Sequence, residues 1–342
     1  MSENKNSKFP SEADVVIVGV GGIVGSMLAY WLAELGQKNI VGLEKSSVIP
    51  SDIASTAHAS DFVFNTTHDK LGCWTTAYSR KFYEDNGFFL KKGGLEICRK
   101  GDDARWEELK RKVGSGKAFG TNVRLISASE TKEKFPLIDE DSIMGSMWDP
   151  DAGLVIPRSQ DVVSFAVEKA KEQGALKTFT DTPAIDFEIE DGRVVGVKTD
   201  KGIIKSDKVV IASGIWGPLM GKKAGVPVPL MPLEHPLLFF GPLPDAQGSQ
   251  EFLVYPLMRD QGNSAYVRDT GRLHGGMLEW GFYEDKEPRL VDPEDIGNPE
   301  KTMGSDSMRY LDLEEIAEPL DCLLYTSPSP RDQRGSRMPS SA

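Results

Sequence analysis

Residues 15–45, VVIVGVGGIVGSMLAYWLAELGQKNIVGLEK, set four glycines and a carboxylate at a spacing that can hold a diphosphate and a ribose. Gly19, Gly21, Gly22 and Gly25 follow one apolar run and open an amphipathic one. Glycines let backbone N–H groups approach a pyrophosphate, and the N-terminus of the next helix favours its negative charge. Glu44 stands nineteen residues beyond Gly25, at the end of a second apolar run, with Lys45 after it. A carboxylate there accepts hydrogen bonds from ribose hydroxyls. The spacing departs from G-x-G-x-x-G. Counted from Gly19 the run has one residue too many, and counted back from Gly25 the first glycine position holds Val20. The context of strand, turn, helix, strand and acid supports dinucleotide binding over an ordinary tight turn.

Further candidates follow. In ASTAHA at 54–59, the hydroxyls of Ser55 and Thr56 can reach phosphate oxygens, and small residues such as Ala59 let the chain pass close to a cofactor. His58 lies within this small-residue run, and an imidazole nitrogen is nucleophilic enough to bond to an activated flavin ring carbon. The competing reading is a surface histidine. Residues 191–217 read as two strands, a turn and a return strand ending in Ala212-Ser213-Gly214-Ile215-Trp216. The return strand of such a meander runs beside the dinucleotide in flavoproteins, and Gly214 permits close approach. His235 follows a stiff, mostly apolar stretch; as a neutral imidazole it can take a proton from an amine. Tyr266 can bind a substrate carboxylate or tune that transfer, with His274 and Tyr283 as alternatives. Arg259 and Arg268 are candidate carboxylate clamps, since guanidinium pairs bidentately with such groups. The competing reading for both is a solvated strand charge.

These groups need a scaffold. The pattern predicts a helix over 23–35, with Val24, Leu28, Trp31 and Leu35 towards the sheet, stopped by Gly36. A strand is expected over 40–44 and a loop-rich stretch over 46–66. A helix over 71–85 carries Leu71, Trp74, Tyr78 and Phe82 on one face, read as core packing. Residues 92–99 read as a strand, and 103–113, 128–135 and 160–173 as helices. Asp191-Gly192 joins strands 187–190 and 193–199 as a hairpin, continued by 202–206 and 208–212. Short Pro- and Gly-rich strands within 226–283, including 237–240 and 264–268, read as a second, antiparallel sheet.

The expected fold class is α/β with an α+β insertion: a Rossmann-like nucleotide-binding domain and a substrate domain with a mixed or antiparallel sheet. The nucleotide domain is expected over 13–90 and 150–225, and the substrate domain over 91–149 and 226–321, after a polar arm at 1–12. Residues 322–342, CLLYTSPSPRDQRGSRMPSSA, are Ser-, Pro- and Arg-rich without periodicity, and read as a disordered, non-native tail.

A net charge of −12 over 342 residues argues against nucleic acid or an anionic membrane surface as partner. No apolar run is long enough to span a bilayer. The three cysteines, Cys73, Cys98 and Cys322, are not in metal-type spacing and suggest a reducing compartment and no disulfide framework. The polar N-terminus lacks an apolar signal core or the character of a transit peptide, so a cytoplasmic location is expected, with the mitochondrial matrix open for a eukaryotic source.

With IVG at 23–25, STAHA at 55–59, GGLEICR at 93–99, ELKRKVGSGKAFG at 108–120, PLID at 136–139, DPDAGLVIPRS at 149–159 and VVIASGIWG at 209–217, the chain resembles the D-amino-acid-oxidase-like superfamily of FAD-dependent amine oxidoreductases. Within it, the chain looks most like the dimethylglycine oxidase/dehydrogenase and sarcosine dehydrogenase groups. The resemblance implies FAD on the glycine turn, Glu44 on the adenosine ribose, the backbone around Ala184 flanking the adenine, and His58 as a covalent flavin attachment point. It also implies a substrate-side histidine, here His235, and a tyrosine, here matched to Tyr266. The implied reaction is oxidation of a small N-methylated amino acid, with oxygen or an electron-transfer flavoprotein as acceptor. The alternatives are another amino acid or glycerol phosphate as substrate, or an inactive flavin-binding fragment. The chain departs from the pattern in the extra turn residue and in Ser60-Asp61 after Ala59, where small or apolar residues with a glycine are usual. The superfamily's C-terminal segment, with its strand and Gly-rich loop beside the flavin, and the folate-binding domain beyond it are expected to be missing.

Overall fold

The computed structural model describes residues 9–235, 237–283 and 289–296. The tail from Cys322 lies outside them. The chain forms two compact units, one holding residues up to Ser60, Pro157–Leu233 and 290–296, the other Asp61–Ile156 and the described part of Glu234–Arg289.

The first unit is built on a parallel sheet in the order Val209–Ile211, Val15–Val18, Ile40–Leu43, Leu176–Phe179. Its strands are short Val/Ile/Leu runs because both faces are covered. On one face, helices Ile23–Glu34 and Ser159–Glu172 pack on Val15, Ile17 and Ile40 through Ala29, Ala33, Val163 and Val167. On the other, the meander Asp186–Glu190, Arg193–Thr199 and Gly202–Lys205 brings Phe187, Val197 and Ile204 against Val16, Val18 and Val41. Asp191 and Gly192 both have positive φ, which the expected hairpin turn requires.

Of the four residues expected to face the sheet from the first helix, only Leu28 packs against the sheet's core. Val24 is 68% and Leu35 83% exposed, Trp31 is also outside, and Gly25, Ser26, Ala29 and Ala33 are buried instead. The helix lies too close to the turn for larger side chains: a Cβ on Gly25 would stand 2.1 Å from the Gly19 carbonyl oxygen.

The second unit carries a seven-stranded sheet in the order Leu237–Phe240, Leu278–Phe282, Ala265–Asp269, Leu257–Asp260, Gly94–Arg99, Ile143–Asp149, Arg124–Ser127. It is mixed rather than antiparallel, because Leu257–Asp260 runs parallel to Gly94–Arg99. Leu95, Ile97, Met258, Val267 and Trp280 join the core with Phe135 and Ile138. Since side chains alternate, the residues between them point to the opposite face. There Met147, Glu96, Arg259, Tyr266 and Gly281 are successive cross-strand partners, one row across the sheet.

Residues 61–90 and 150–156 belong to this second unit, not to the nucleotide domain as expected. The reason is a small sheet in which Gly153–Val155 pairs with both Phe62–Val63 and Phe89–Lys91. The helix between those strands, Lys70–Asp85, is capped by Asp69 accepting from the Gly72 N–H at 2.7 Å. Its aromatic stripe is not core: Trp74 is 60% and Tyr78 53% exposed, stacked on each other, while Cys73 is the buried position. The helix expected over 103–113 runs Asp103–Ala118. Among the described residues no helix is long and apolar enough to cross a membrane, and no group of His, Cys, Asp and Glu is arranged to hold a metal ion.

Candidate cofactor and substrate sites

A cleft of about 590 Å³ opens in the first unit where the carboxyl ends of the parallel strands meet the first helix. In an open parallel sheet this is the end at which ligands bind. It is lined by Gly19, Gly22, Glu44, Lys45, Ser55, Thr56, Ala184, Ala212, Gly214 and Trp216, which the sequence had marked, and by Ser51, Ser213, Val228 and Leu230, which it had not. Of the other marked residues, Gly21, Gly25, His58 and Ala59 are not in the wall.

The extra turn residue is absorbed by two contacts. Gly19 takes φ +95° with its Cα against Ala212, where a Cβ would stand 2.6 Å from the carbonyl oxygen. The Gly21 N–H turns away and donates to Glu44 Oε2 at 2.8 Å. This leaves Gly22 at the helix N-cap, open to the cleft, with nothing nearer to a built Cβ than 3.7 Å. Glu44 is buried, and its Oε1 accepts from the Ser46 N–H at 2.9 Å. One side chain therefore lines the cleft and pins the glycine turn.

Thr56 also has two tasks. Its Oγ1 accepts from the N–H of Ile23, the first residue of the helix, at 3.1 Å, which caps the helix from a loop 33 residues away. The remaining first-turn N–H groups have no intrahelical partner, and no acidic side chain occupies that turn, so the helix end is left for an anion. Ser51 Oγ and Ser213 Oγ are buried in the wall with no hydrogen-bond partner among the described residues. Buried hydroxyls require partners, and a polyhydroxylated, phosphorylated ligand supplies them. Lys45 sits over the Trp216 ring at 4.6 Å. His58 is exposed at the end of the short 3-10 turn Ser55–His58, whose path is set by Arg158 Nη2 donating to the Ala59 carbonyl at 3.0 Å.

The second unit holds the expected substrate-side residues. Tyr266 lies flat over Gly281, where a Cβ would stand 2.1 Å from the ring. Its ring centroid is 5.5 Å from that of Phe62 and 6.0 Å from that of Tyr283. Tyr283 meets His235 edge-on at 4.4 Å, so the alternative tyrosine joins His235 to Tyr266. His274 packs on Phe239 instead. Arg259, half-buried, stacks on Phe64 at 4.2 Å and has no ion-pair partner among the described residues. Burial pulls its pKa below the usual guanidinium value. Arg268 does not fit the expected role of substrate clamp: it is 1% exposed and its Nη2 is bound to the buried Glu279.

The sequence matches the family described as FAD dependent oxidoreductase over residues 14–319. This chain belongs to that family. FAD is the family's cofactor, and the cleft fits it: a glycine turn at a helix N-terminus for the diphosphate, Glu44 for a ribose, and unpartnered serine hydroxyls in the wall. Among its relatives, sarcosine dehydrogenase, mitochondrial, of Homo sapiens is 29% identical over 302 residues, covering 83% of this chain and 30% of that protein. Dimethylglycine dehydrogenase, mitochondrial, of Homo sapiens is 26% identical over 330 residues, covering 94% of this chain and 36% of that protein. The chain thus spans about a third of the length of these curated relatives. The crystal structure of L-proline dehydrogenase from P. horikoshii superposes with a TM-score of 0.75 at 26% identity, covering 92% of this chain and 78% of that one. Of the wall residues that sequence reasoning missed, Ser213 had a signal in its place between Ala212 and Gly214. Ser51, Val228 and Leu230 had none, because only the fold brings their loops to the cleft.

Proposed function

We propose that this chain is the flavin-holding and substrate-binding part of an FAD-dependent oxidoreductase acting on a small N-methylated amino acid of the sarcosine or dimethylglycine type. The cleft carries the reading, since its wall combines the glycine turn, Glu44 and the unpartnered serines. The names of the relatives support the substrate class. FAD, when bound, supplies the acceptor for a hydride leaving the N-methyl carbon. The protein's own residues hold the diphosphate at Gly22 and the helix N-terminus, and a ribose at Glu44. His235, oriented by Tyr283, takes the proton from the substrate amine so that its lone pair can assist C–H cleavage. Arg259 binds the substrate carboxylate, and Tyr266, beside it in register, tunes the proton transfer. His58 is proposed as a covalent flavin link.

Anaerobic mixing of the yellow protein with sarcosine, dimethylglycine, other amino acids and glycerol phosphate tests the assignment. Bleaching by the N-methylated amino acids in preference to the rest is expected. Bleaching only by glycerol phosphate or an unmethylated amino acid overturns the substrate class. A colourless protein that takes up no added FAD overturns the catalytic reading for this chain. Acid precipitation tests the link: a yellow pellet is expected, and a yellow supernatant over a colourless pellet rules it out.

A further inference from the structure

We infer that Lys112 is a positioning residue: by holding Glu96, it keeps Arg259 open for the carboxylate of the substrate. This rests on the proposal that Arg259 binds that carboxylate. Glu96 and Arg259 are direct cross-strand partners on adjacent parallel strands and share a face. Opposite charges in that relation ordinarily pair. Here they do not, because the buried Glu96 Oε2 accepts from Lys112 Nζ at 2.6 Å. Lys112 projects from the helix Asp103–Ala118, whose Leu109 and Val113 pack against Cys98 and Met147, so its backbone is fixed beside the strand bearing Glu96. Arg259 is left with Phe64 beneath its guanidinium and Tyr266 on its other flank. Lys112, reaching the row from the helix, thus takes the Glu96 carboxylate, and Arg259 keeps no ion-pair partner among the described residues. A neutral pair at positions 96 and 112 would leave Arg259 just as open. The inference therefore concerns which partner Glu96 takes, and not the pair's contribution to stability.

The test uses the FAD-loaded protein, with KM and kcat for sarcosine or dimethylglycine and, by calorimetry, the Kd for propionate, which has a carboxylate and no amine. Lys112→Met frees Glu96 to pair with Arg259, so KM and the propionate Kd are expected to rise on the order of 10-fold or more, the scale of one charge-assisted hydrogen bond, with kcat little changed. The double variant Lys112→Met/Glu96→Gln is expected to restore both to within about threefold of the parent. Equal losses in the single and double variants, or no loss in either, overturn the inference. Where Lys112→Met does not fold, Lys112→Gln, which removes the same charge and keeps most of the stem, takes its place with the same expected and overturning results. Arg259→Met separates this from the underlying proposal. If it leaves KM unchanged, the Arg259 assignment fails and takes the inference with it. If it raises KM while Lys112→Met does not, only the inference fails.

Discussion

Replacing Glu44 tests both tasks assigned to it. Its carboxylate accepts from Gly21 N–H at 2.8 Å and Ser46 N–H at 2.9 Å, and the side chain is buried. In Glu44→Ala both N–H groups lose their partner, at about 1–3 kcal/mol each when left unsatisfied. The cleft beside them lets water recover part of this, so the lower end, about 2–3 kcal/mol for the pair, is the expected loss in the FAD-free protein. That corresponds to a fall in Tm of roughly 4–10 °C. The proposed ribose contact is lost as well. A hydrogen bond to a charged group contributes about 1.5–3 kcal/mol, so the Kd for FAD should rise roughly 10- to 150-fold. Glu44→Gln keeps one acceptor and should fall between. Calorimetry of the FAD-free protein reads the first effect, and titration of flavin fluorescence the second. An unchanged Tm would refute the claim that Glu44 pins the turn. An unchanged Kd would refute its place on the ribose.

Four further outcomes are expected. Gly25→Ala should abolish folding or FAD binding, since its Cβ would meet the Gly19 carbonyl, whereas Gly22→Ala should fold normally and bind FAD less tightly, because its Cβ points into the cleft; Tm and flavin titration distinguish them. Thr56→Val should destabilise the FAD-free protein by about 0.5–2 kcal/mol through loss of the cap on Ile23, read by denaturant titration. Arg268→Met should cost about 3–5 kcal/mol of stability by stranding the Glu279 charge while leaving KM unchanged, the reverse of Arg259→Met. Burial pushes the Cys98 thiol up to about 11, so alkylation followed by mass spectrometry should find Cys98 unmodified in the native protein at neutral pH and modified once it is unfolded. The sign for stability follows: the neutral thiol's contribution is complete below the ordinary thiol pKa and is lost as the pH rises through about 11.

The cofactor cleft was legible in the sequence because its chemistry is local. The glycines, Glu44, and Ser55 with Thr56 each follow a strand or turn that periodicity identifies, and all but Gly21 and Gly25 of that set line the cleft. Those two glycines were read as ligand contacts because sequence cannot separate a glycine that admits a phosphate from one that admits the protein's own backbone. Gly21 gives its N–H to Glu44, and Gly25 packs on Gly19. The substrate-side row was legible only as a set of residue types. Register decides which of two arginines on neighbouring strands keeps an open charge. Arg268 stands opposite Glu279 and is matched, whereas Arg259 stands opposite Glu96, which Lys112 has already taken. Lys112 lies in the helix expected over 103–113 and in ELKRKVGSGKAFG, which carried the resemblance, and neither reading gave it a role.

The misplaced face of the first helix has a physical origin. Hydrophobic periodicity assigns the buried side to the largest apolar residues, which holds when a helix packs through them at ordinary distance. The first helix must instead bring its N-terminus against the glycine turn. Close approach selects Gly25, Ser26, Ala29 and Ala33 for the inner face and turns Val24 and Leu35 outward, Val24 onto the cleft wall. The helix Lys70–Asp85 also turns Cys73 inward and Trp74 and Tyr78 outward. Where a helix end serves as a ligand contact, the small residues therefore mark the packed face. The cost of enlarging one should track its distance to the opposing backbone, not its hydrophobicity, so Ala29→Leu in the first helix should destabilise more than Val24→Ala although it adds apolar surface. Denaturant titration of the two variants compares them, and a smaller loss for Ala29→Leu would show that close approach does not govern this face.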